Sequence, residues 1–353
     1  MLSTPLHVAD VVIEEVELPA VSDDDLGHLN TIENILRSEV FPDDPPVPVE
    51  VTAARARHIP DFIGQRDFWA READGAIAGR ASAWWTKTDD NRHLIRTDLG
   101  VRPDRRLRGI GKALLSLVVE ATLAEARTLI VGRTLSSVPA GVPFARRTGA
   151  EPALAEHVNR LLISEVDREM IDRWVEHGPH RAPGYSLVVI DGPAPDSYLE
   201  EVVAMANVMN TAPRDDLELE DENFDAAQLR DWERAASAQG DEWWALYARH
   251  DASGGFAGYT HVAWNPSQPQ TVYQYGTAVK PEHRGHAIGK WLKAAMLRRI
   301  IDERTDVKDV RTGNADSNDA MLGINRALGF RPYIAATAWQ VRVDRVREYL
   351  DGS

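Results

Sequence analysis

The sequence predicts an α/β (α+β) protein built from two tandem domains of the same fold. Two observations support this. A turn-and-helix pattern at residues 101–115 recurs with identical spacing at residues 279–293, and a similar order of strand-like and helix-like segments surrounds both copies. The chain has 353 residues, a length that accommodates two domains of ordinary size.

Each half begins with a strand (residues 11–18 and 185–190) and a helix (residues 24–38 and 195–209). A loop rich in Pro and Asp, a second helix and a β-hairpin follow. We match residues 67–70 with 242–245 as the first strands of the two hairpins, and residues 148–150 with 328–330 downstream. A further strand (residues 94–101 and 272–279) leads into each turn, and a long helix, another strand and a short helix complete each half.

The junction between the halves is expected near Gly178. Asp167 is a good N-cap for a helix through His177, and Gly178 with Pro179 would end that helix. The predicted domains are therefore residues 1–178 and residues 179–353.

Composition excludes several classes of function. The net charge is −15, from 40 basic and 55 acidic residues, which disfavours nucleic acid as a partner. The chain has no cysteine, so it has neither disulfides nor thiolate chemistry. No apolar run approaches 18 residues and no secretory signal is visible, so we expect a cytoplasmic protein without a membrane partner. No cluster of histidines and carboxylates predicts a metal site.

The repeated turn is suited to binding a phosphorylated cofactor. The first residues of a helix carry unpaired backbone N–H groups, the helix dipole adds positive potential, and glycine lets a phosphate approach the backbone. The candidate residues of the first copy are Arg106, Leu107, Arg108, Gly109, Ile110, Gly111 and Lys112. Those of the second copy are Arg284, Gly285, His286, Ala287, Ile288, Gly289 and Lys290. Neither copy matches a Walker loop or a Rossmann fingerprint.

These motifs resemble the GNAT superfamily of acetyl-CoA-dependent N-acetyltransferases. The family signature, Gln/Arg-x-x-Gly-x-Gly/Ala after a strand ending in Val-x-Pro, matches residues 106–111 and, with Ala287 in place of a glycine, residues 284–289. A later family motif resembles residues 318–330. Two such domains in one chain are similar to mycothiol synthase and related tandem proteins of actinobacteria.

The resemblance implies a mixed, mostly antiparallel sheet in each domain that splays after its fourth strand and is flanked by helices. Acetyl-CoA would lie in that gap, with its pyrophosphate on the turn. Its pantetheine would pair with the strand backbone at Leu99 to Val101 or at Thr277 to Val279. Asn318, at the start of the later motif, is a further candidate for the cofactor site.

The resemblance also guides the choice of catalytic candidates. The position at which the family often has a tyrosine acid holds Asn325 in the second half and Ala145 in the first. Asp98 lies where many relatives carry a carboxylate base, and Tyr275-Gly276 lies at the corresponding place in the second half, which makes Tyr275 a further candidate. We predict that the C-terminal half is catalytic because it keeps Asn318 and Asn325. A structural role for Asp98 and core packing for Tyr275 remain open.

The resulting prediction is an N-acetyltransferase that transfers acetyl from acetyl-CoA to a small-molecule amine by direct attack in a ternary complex. A non-catalytic acetyl-CoA sensor or scaffold is the alternative. A transferase acting on aminoacyl-tRNA is a third possibility, against which the charge of −15 counts. The acidic loop at residues 215–222 either is solvated or attracts a cationic acceptor. A monomer and a homodimer are both compatible with the sequence.

Overall fold

The computed structural model describes residues 6–352, which form two compact units. The first unit comprises the chain up to residue 155 together with residues 214–220 and the segment from residue 334 onward. The second unit comprises residues 156–213 and 221–333. Each unit is therefore assembled from segments that are distant in sequence.

The first repeat, as far as residue 147, alternates strands and helices around one sheet. Its elements are β1 (Leu6–Val8), β2 (Val11–Val16), α1 (Asp23–Val40), α2 (Val49–Arg57), β3 (Ile63–Arg71), β4 (Ile77–Thr86), β5 (Leu94–Val101), α3 (Ile110–Ala124), β6 (Leu129–Leu135) and α4 (Gly141–Arg147). Helix α1 begins at Ser22, whose hydroxyl accepts a hydrogen bond from the Asp25 N–H at 3.1 Å. Strand β1 precedes the first predicted strand and was not expected.

The rest of the chain repeats this order. It contains β7 (Glu151–Leu162), α5 (Arg168–Arg181), β8 (Tyr185–Asp191), α6 (Leu199–Asn207), α7 (Ala226–Ala238), β9 (Glu242–His250), β10 (Phe256–Trp264), β11 (Thr271–Val279), α8 (Ile288–Glu303), β12 (Asp309–Ala315), α9 (Asp319–Leu328), β13 (Arg331–Arg342) and α10 (Val343–Asp351). No helix between residues 6 and 352 is long and apolar enough to cross a membrane.

Both sheets are mostly antiparallel and both splay at the same place. Strand β5 pairs in parallel with β6 only at Leu94–Thr97, and β11 pairs in parallel with β12 only at Thr271–Tyr273. The other pairings reported within each unit are antiparallel. The last residues of β5 and of β11 thus leave their parallel neighbours, which confirms the predicted splayed α+β fold.

Helices cover both faces of each sheet. In the first unit α3 and α10 pack on one face, where Leu114 and Val118 are fully buried, and α1 and α2 cover the other. In the second unit α5 and α8 cover one face, where Leu292 and Met296 are fully buried, and α6 packs on the other. Burial is almost continuous along β4 and β10, as expected for strands that are covered on both faces, and buried residues recur at helical spacing on α3 and α8.

The last strand and helix of each repeat complete the other unit. Strand β7 follows α4 but pairs with β12, and α5 then packs on α8. Strand β13 follows α9 but pairs with β6, and α10 then packs on α3. The contiguous division at residue 178 remains a prediction about the repeats, whereas the compact units exchange their terminal β–α segments.

Two local predictions need correction. Asp167 does cap α5, accepting from the Met170 N–H at 2.9 Å, but the helix continues through Gly178 and Pro179 to Arg181. It continues because Gly178 lies directly against the Trp291 ring of α8, so packing outweighs the local stop signals.

The hairpin match is also shifted by three residues. Ala70 lies opposite Gly79 and Ala248 lies opposite Gly258, and these two glycines lie opposite Val101 and Val279. Residues 67–70 therefore correspond to 245–248, not to 242–245. Trp243 and Trp244 lie near the start of β9, whereas no tryptophan lies at the start of β3.

The acidic loop is divided between the units. Residues 214–220 group with the first unit, where Glu218 forms an ion pair with Arg342 at 2.6 Å and Glu220 accepts a hydrogen bond from the Asn91 N–H at 2.6 Å. Leu217 and Leu219 pack against the buried Leu94 and Leu129. The loop is thus tethered by apolar and polar contacts, while its acidic residues stay exposed to solvent, so both interpretations of the acidic run remain open.

Candidate functional site

The second turn lies at the mouth of the splayed strands. After Tyr273, β11 leaves β12, ends at Val279 and enters a tight turn before α8 begins at Ile288. Gly285 and Ala287 both have left-handed backbone conformations, with φ of +87° and +57°. The first N–H groups of α8 have no partner within the helix, so the turn presents a set of donors suited to an anion.

A cavity of about 1050 Å³ opens at this turn. Its walls come from β11, the turn and start of α8, the start of α9, the segment after α6, and one face of α5. The volume lies at the upper end of the range for ligand clefts, roughly 300–1,000 Å³. It therefore offers room for an extended ligand rather than a single anion.

The charged side chains around the cavity are mostly basic. Three arginines, one lysine and two histidines line it, against a single carboxylate. They are Arg173, His177, Arg181, His283, Arg284 and Lys290, with Asp319 as the carboxylate. This lining favours an anionic ligand even though the whole chain carries −15.

Arg284 is held in place without being neutralised. Its Nε donates a hydrogen bond to the Val279 carbonyl at 3.0 Å, and a terminal nitrogen donates to the Thr211 hydroxyl at 2.8 Å. Within residues 6–352 it forms no ion pair with a carboxylate. Its charge thus remains available to a ligand.

The first turn has the same backbone but a different electrostatic state. Arg106 Nε donates to the Val101 carbonyl at 3.0 Å, as in the second copy. Its two terminal nitrogens, however, donate to both carboxylate oxygens of Glu39, one of them at 2.8 Å. Residues 101–112 line neither the cavity at the second turn nor a smaller cavity of about 200 Å³ beside β2. The Glu39 carboxylate thus pairs with the arginine that would otherwise be available to a phosphate.

The two turns use glycine at opposite positions. The left-handed residues are Leu107 and Gly109 in the first copy and Gly285 and Ala287 in the second. Each turn therefore forces one non-glycine residue into a conformation that favours glycine. Leu107 is 98% exposed, so no burial of its side chain compensates for this strain.

Comparison with known proteins agrees with this architecture. The model of the acetyltransferase (GNAT) family matches residues 29–149 and again residues 202–330. The chain belongs to the GNAT family. The resemblance predicted from the motifs is thereby confirmed, and the duplication covers both family domains.

Solved structures give the same result. A tandem GNAT protein from the clavulanic acid biosynthesis pathway, in a structure without acetyl-CoA, is 28% identical with a TM-score of 0.76, over 94% of this chain and 98% of that one. A GCN5-related N-acetyltransferase from Sphaerobacter thermophilus is 14% identical with a TM-score of 0.64, over 94% and 96% of the two chains. The second likeness shows the fold alone. No curated protein sequence matches the chain significantly.

The predicted cofactor residues of the second GNAT unit converge on the cavity, with one exception. The lining includes Thr277, Val279, Arg284, Gly285, Ala287, Ile288, Gly289, Lys290 and Asn318. His286 is not part of the lining, and its ring lies 5.8 Å from that of Tyr185. Asn318 also caps α9, accepting a hydrogen bond from the Met321 N–H at 3.2 Å.

Several first-copy candidates contact other residues of the first unit. Arg108 lies 3.7 Å from Asp10, Gly109 lies beside Val8 of β1, and Gly111 lies beside Phe144 of α4. Lys112 contacts the Tyr349 ring at 5.6 Å. The side chains of Arg108 and Lys112 thus face groups of the protein itself, whereas that of Leu107 is 98% exposed.

The three catalytic candidates have different surroundings. Asn325 is 1% exposed and donates to the Asn314 side-chain oxygen at 2.8 Å, and its own side-chain oxygen is buried without a partner. Tyr275 is 57% exposed and stacks on His261 at 5.6 Å. Asp98 is exposed on β5 opposite Ser82 and belongs to the first unit. None of the three lines the cavity.

A β-bulge adjoins the cavity end of β11. Thr260 pairs with Thr277, but Val262 pairs with Gln274, so His261 alone lies opposite Tyr275 and Gly276. Bulges of this kind redirect side chains next to active sites. Burial lowers the pKa of His261 to about 4, so its imidazole is neutral at pH 7 and its Nε2 is buried without a partner.

Tyr259 is a site residue that the sequence analysis missed. Its hydroxyl lies where a Cβ on residue 276 would be, so glycine is required there. Burial raises the pKa of Tyr259 to about 12, which keeps the hydroxyl protonated as a donor. In the true register of the hairpins, Tyr259 corresponds to Arg80 of the first repeat and Gly276 corresponds to Asp98. An alignment in that register would have drawn attention to Tyr259, because both positions hold charged residues in the first repeat.

Proposed function

We propose that the protein is an acetyl-CoA-dependent N-acetyltransferase in which the second GNAT unit binds acetyl-CoA and acetylates a small-molecule amine. The observation that carries the proposal is the cationic cavity of about 1050 Å³ between the splayed end of β11 and the start of α8. The first unit, whose Arg106 is paired with Glu39, would serve a structural role.

Each wall of the cavity suits one part of that substrate. The turn at Gly285 to Gly289 offers backbone donors and Arg284 offers charge to a pyrophosphate. The edge of β11 at Thr277 to Val279, no longer paired with β12, offers backbone groups to an extended pantetheine. Acetyl-CoA supplies the acetyl thioester for transfer.

The bulge would form the acceptor side of the site. The Tyr259 hydroxyl lies beside Gly276. Gly276 precedes Thr277 of the cavity wall, and neighbouring residues of a strand are spaced ~3.3 Å apart along the chain. A protonated Tyr259 hydroxyl would donate a hydrogen bond to the reacting group, and the exposed ring of Tyr275 would flank the amine. A thiol such as CoA, with a pKa of about 8.5, needs little help from an acid to depart.

Asn325 remains a candidate through its unpartnered side-chain oxygen, which a bound water or ligand group would satisfy. Asp98 has no part in this proposal because it belongs to the other unit and residue 276 takes its place in the second repeat.

The first test is calorimetric titration of acetyl-CoA into the full-length protein and two matched variants, Arg284→Gln and Arg106→Gln. We expect one site per chain, an affinity loss on the order of tenfold for Arg284→Gln, and unchanged affinity for Arg106→Gln. A panel of small primary amines, followed by release of the CoA thiol, then tests turnover.

Different outcomes separate the competing functions. Binding without turnover of any amine would favour an acetyl-CoA sensor over an enzyme. Two sites, or a site lost only with Arg106→Gln, would contradict the assignment to the second unit, and no binding at all would remove acetyl-CoA from the proposal.

A further inference from the structure

Helix α5 forms one wall of the cavity and is fixed tightly against α8. Gly178 lies against the Trp291 ring so closely that a Cβ would overlap it. One turn earlier, the Trp174 ring faces the Lys290 Nζ at 5.3 Å. The two helices therefore hold a defined spacing beside the anion-binding turn.

One face of α5 carries three basic residues at intervals of four. Arg173, His177 and Arg181 share that face because a helix returns to the same side about every 3.6 residues. All three line the cavity. Within residues 6–352, the only ion pair that these three side chains form is the exposed contact of Arg173 with Glu169 at 3.7 Å, which is worth little in water.

The first unit provides an internal comparison. Its helix α10 packs on α3 as α5 packs on α8, and Tyr349 faces Lys112 at 5.6 Å as Trp174 faces Lys290. By this correspondence the residue preceding each aromatic ring is Arg173 in the second unit and Glu348 in the first. At this matched position the charge is thus reversed in the unit whose turn arginine is already neutralised.

The cavity therefore has two separate cationic centres. The turn at residues 284–289 follows β11 directly, and the start of α8 behind it contacts α5 through Lys290 with Trp174 and Trp291 with Gly178, so the turn and the basic face of α5 line the same cavity. An extended ligand with a pyrophosphate on the turn would bring its far end to α5. Two arginines suit a phosphate monoester, which carries a charge of about −1.5 to −2 at pH 7 and presents several acceptor oxygens.

We propose that Arg173, His177 and Arg181 bind the 3′-phosphate of CoA and make the site selective for CoA thioesters over their 3′-dephospho forms. The inference rests on the proposed function, because it assumes that acetyl-CoA occupies this cavity. It assigns to the exchanged helix α5 a role in ligand recognition in addition to packing.

The experiment compares acetyl-CoA with acetyl-3′-dephospho-CoA by calorimetric titration of the full chain. We expect the wild-type protein to bind acetyl-CoA at least about tenfold more tightly. In the double variant Arg173→Gln/Arg181→Gln the two dissociation constants should agree within about twofold, because the affinity for acetyl-CoA falls and that for the dephospho form does not. Both arginines are exposed, so the substitutions leave the core intact, which thermal unfolding verifies.

The control is Arg168→Gln, a neutralisation on the same helix at a residue that does not line the cavity. It should keep the full wild-type preference, which excludes a general effect of net charge. Equal wild-type affinity for the two ligands overturns the inference while leaving the acetyl-CoA site in place. A preference that survives the double variant also overturns it, and absence of binding by either ligand overturns the proposed function as well.

Discussion

Arg106 and Arg284 show how a single neighbouring side chain determines whether the arginine of a repeated turn keeps its charge available. Both side chains donate Nε to the carbonyl five residues earlier, so the backbone positions them identically. Glu39 then pairs with Arg106, whereas the hydroxyl of Thr211 meets Arg284 and leaves its charge unbalanced. A hydrogen bond from a neutral hydroxyl orients a guanidinium, while a carboxylate neutralises it.

Asp67 is the clearest pH-sensitive group in the first unit. It is 5% exposed, and burial raises its pKa from 3.8 to about 6, with Gln65 and Arg80 opposing the rise. Glu33 and Asp98 add to it. Because the folded pKa lies above the unfolded value, the folded state loses stability as pH rises from about 4 to about 6.

We therefore expect Asp67→Asn to gain stability relative to the wild type over that interval, by about 3 kcal/mol in total. Urea unfolding followed by tryptophan fluorescence at pH 4, 5, 6 and 7 measures the difference. Ser82→Ala, at the residue opposite Asp67 on β4, changes no titratable group and should shift stability equally at every pH. A difference for Asp67→Asn that does not vary with pH would show that the carboxyl is not buried as the structure describes.

At the scale of elements, the turn tolerates strain at one residue in each copy. Leu107 and Gly285 occupy the same position of the turn, and both have a left-handed backbone conformation. Side-chain packing does not affect a comparison of the two, because Leu107 is 98% exposed and a Cβ on residue 285 would meet nothing within 4 Å. A non-glycine residue in this conformation costs roughly 1–2 kcal/mol, partly offset by the greater unfolded entropy of glycine, roughly 0.5–1 kcal/mol.

The matched substitutions should have opposite signs. We expect Leu107→Gly to stabilise the protein by up to about 1 kcal/mol and Gly285→Ala to destabilise it by a similar amount. Thermal unfolding of the two variants beside the wild type is sufficient as a measurement. If both changes shift the midpoint in the same direction, backbone conformation is not the controlling factor at this position.

Helix α5 illustrates why local signals do not always set the end of an element. Glycine followed by proline usually terminates a helix, yet α5 runs to Arg181. The absence of a side chain at Gly178 is what lets the helix approach Trp291, so the same residue that suggests an end in the sequence provides a packing surface in the fold.

At the scale of the whole molecule, the exchanged segments make each unit depend on a distant part of the chain. Val341, Val343 and Val346 belong to the core of the first unit, although they lie at the end of the second repeat. Strand β13 is also a hydrogen-bonding neighbour of β6. Removal of the C-terminal segment should therefore damage the first unit.

We expect a chain ending after Tyr333 to lose amide protection in β6 (Leu129–Leu135) while β12 keeps its protection through β7 and β11. Hydrogen exchange measured by mass spectrometry distinguishes these strands. A less disruptive test is the variant Val346→Ala in the full chain. Because Val346 is fully buried, this variant should destabilise the first unit by on the order of 1–3 kcal/mol. Loss of protection confined to β12 would support contiguous domains instead.

The sequence by itself determined the duplication, the fold class and the location of the anion-binding turns, because these depend on patterns within about 30 consecutive residues. Gly and Arg at a helix start, period-two strands and period-3.6 helices carry that information locally. The family match then follows from the same motifs.

Only the tertiary structure decided which turn has a free arginine beside a cavity, which strand completes which sheet, and which helix borders that cavity. Those outcomes depend on Glu39 reaching Arg106, on β13 pairing with β6, and on Gly178 meeting Trp291. Each of these contacts joins residues at least 67 positions apart in the chain, and no periodicity or spacing rule connects residues at such separations.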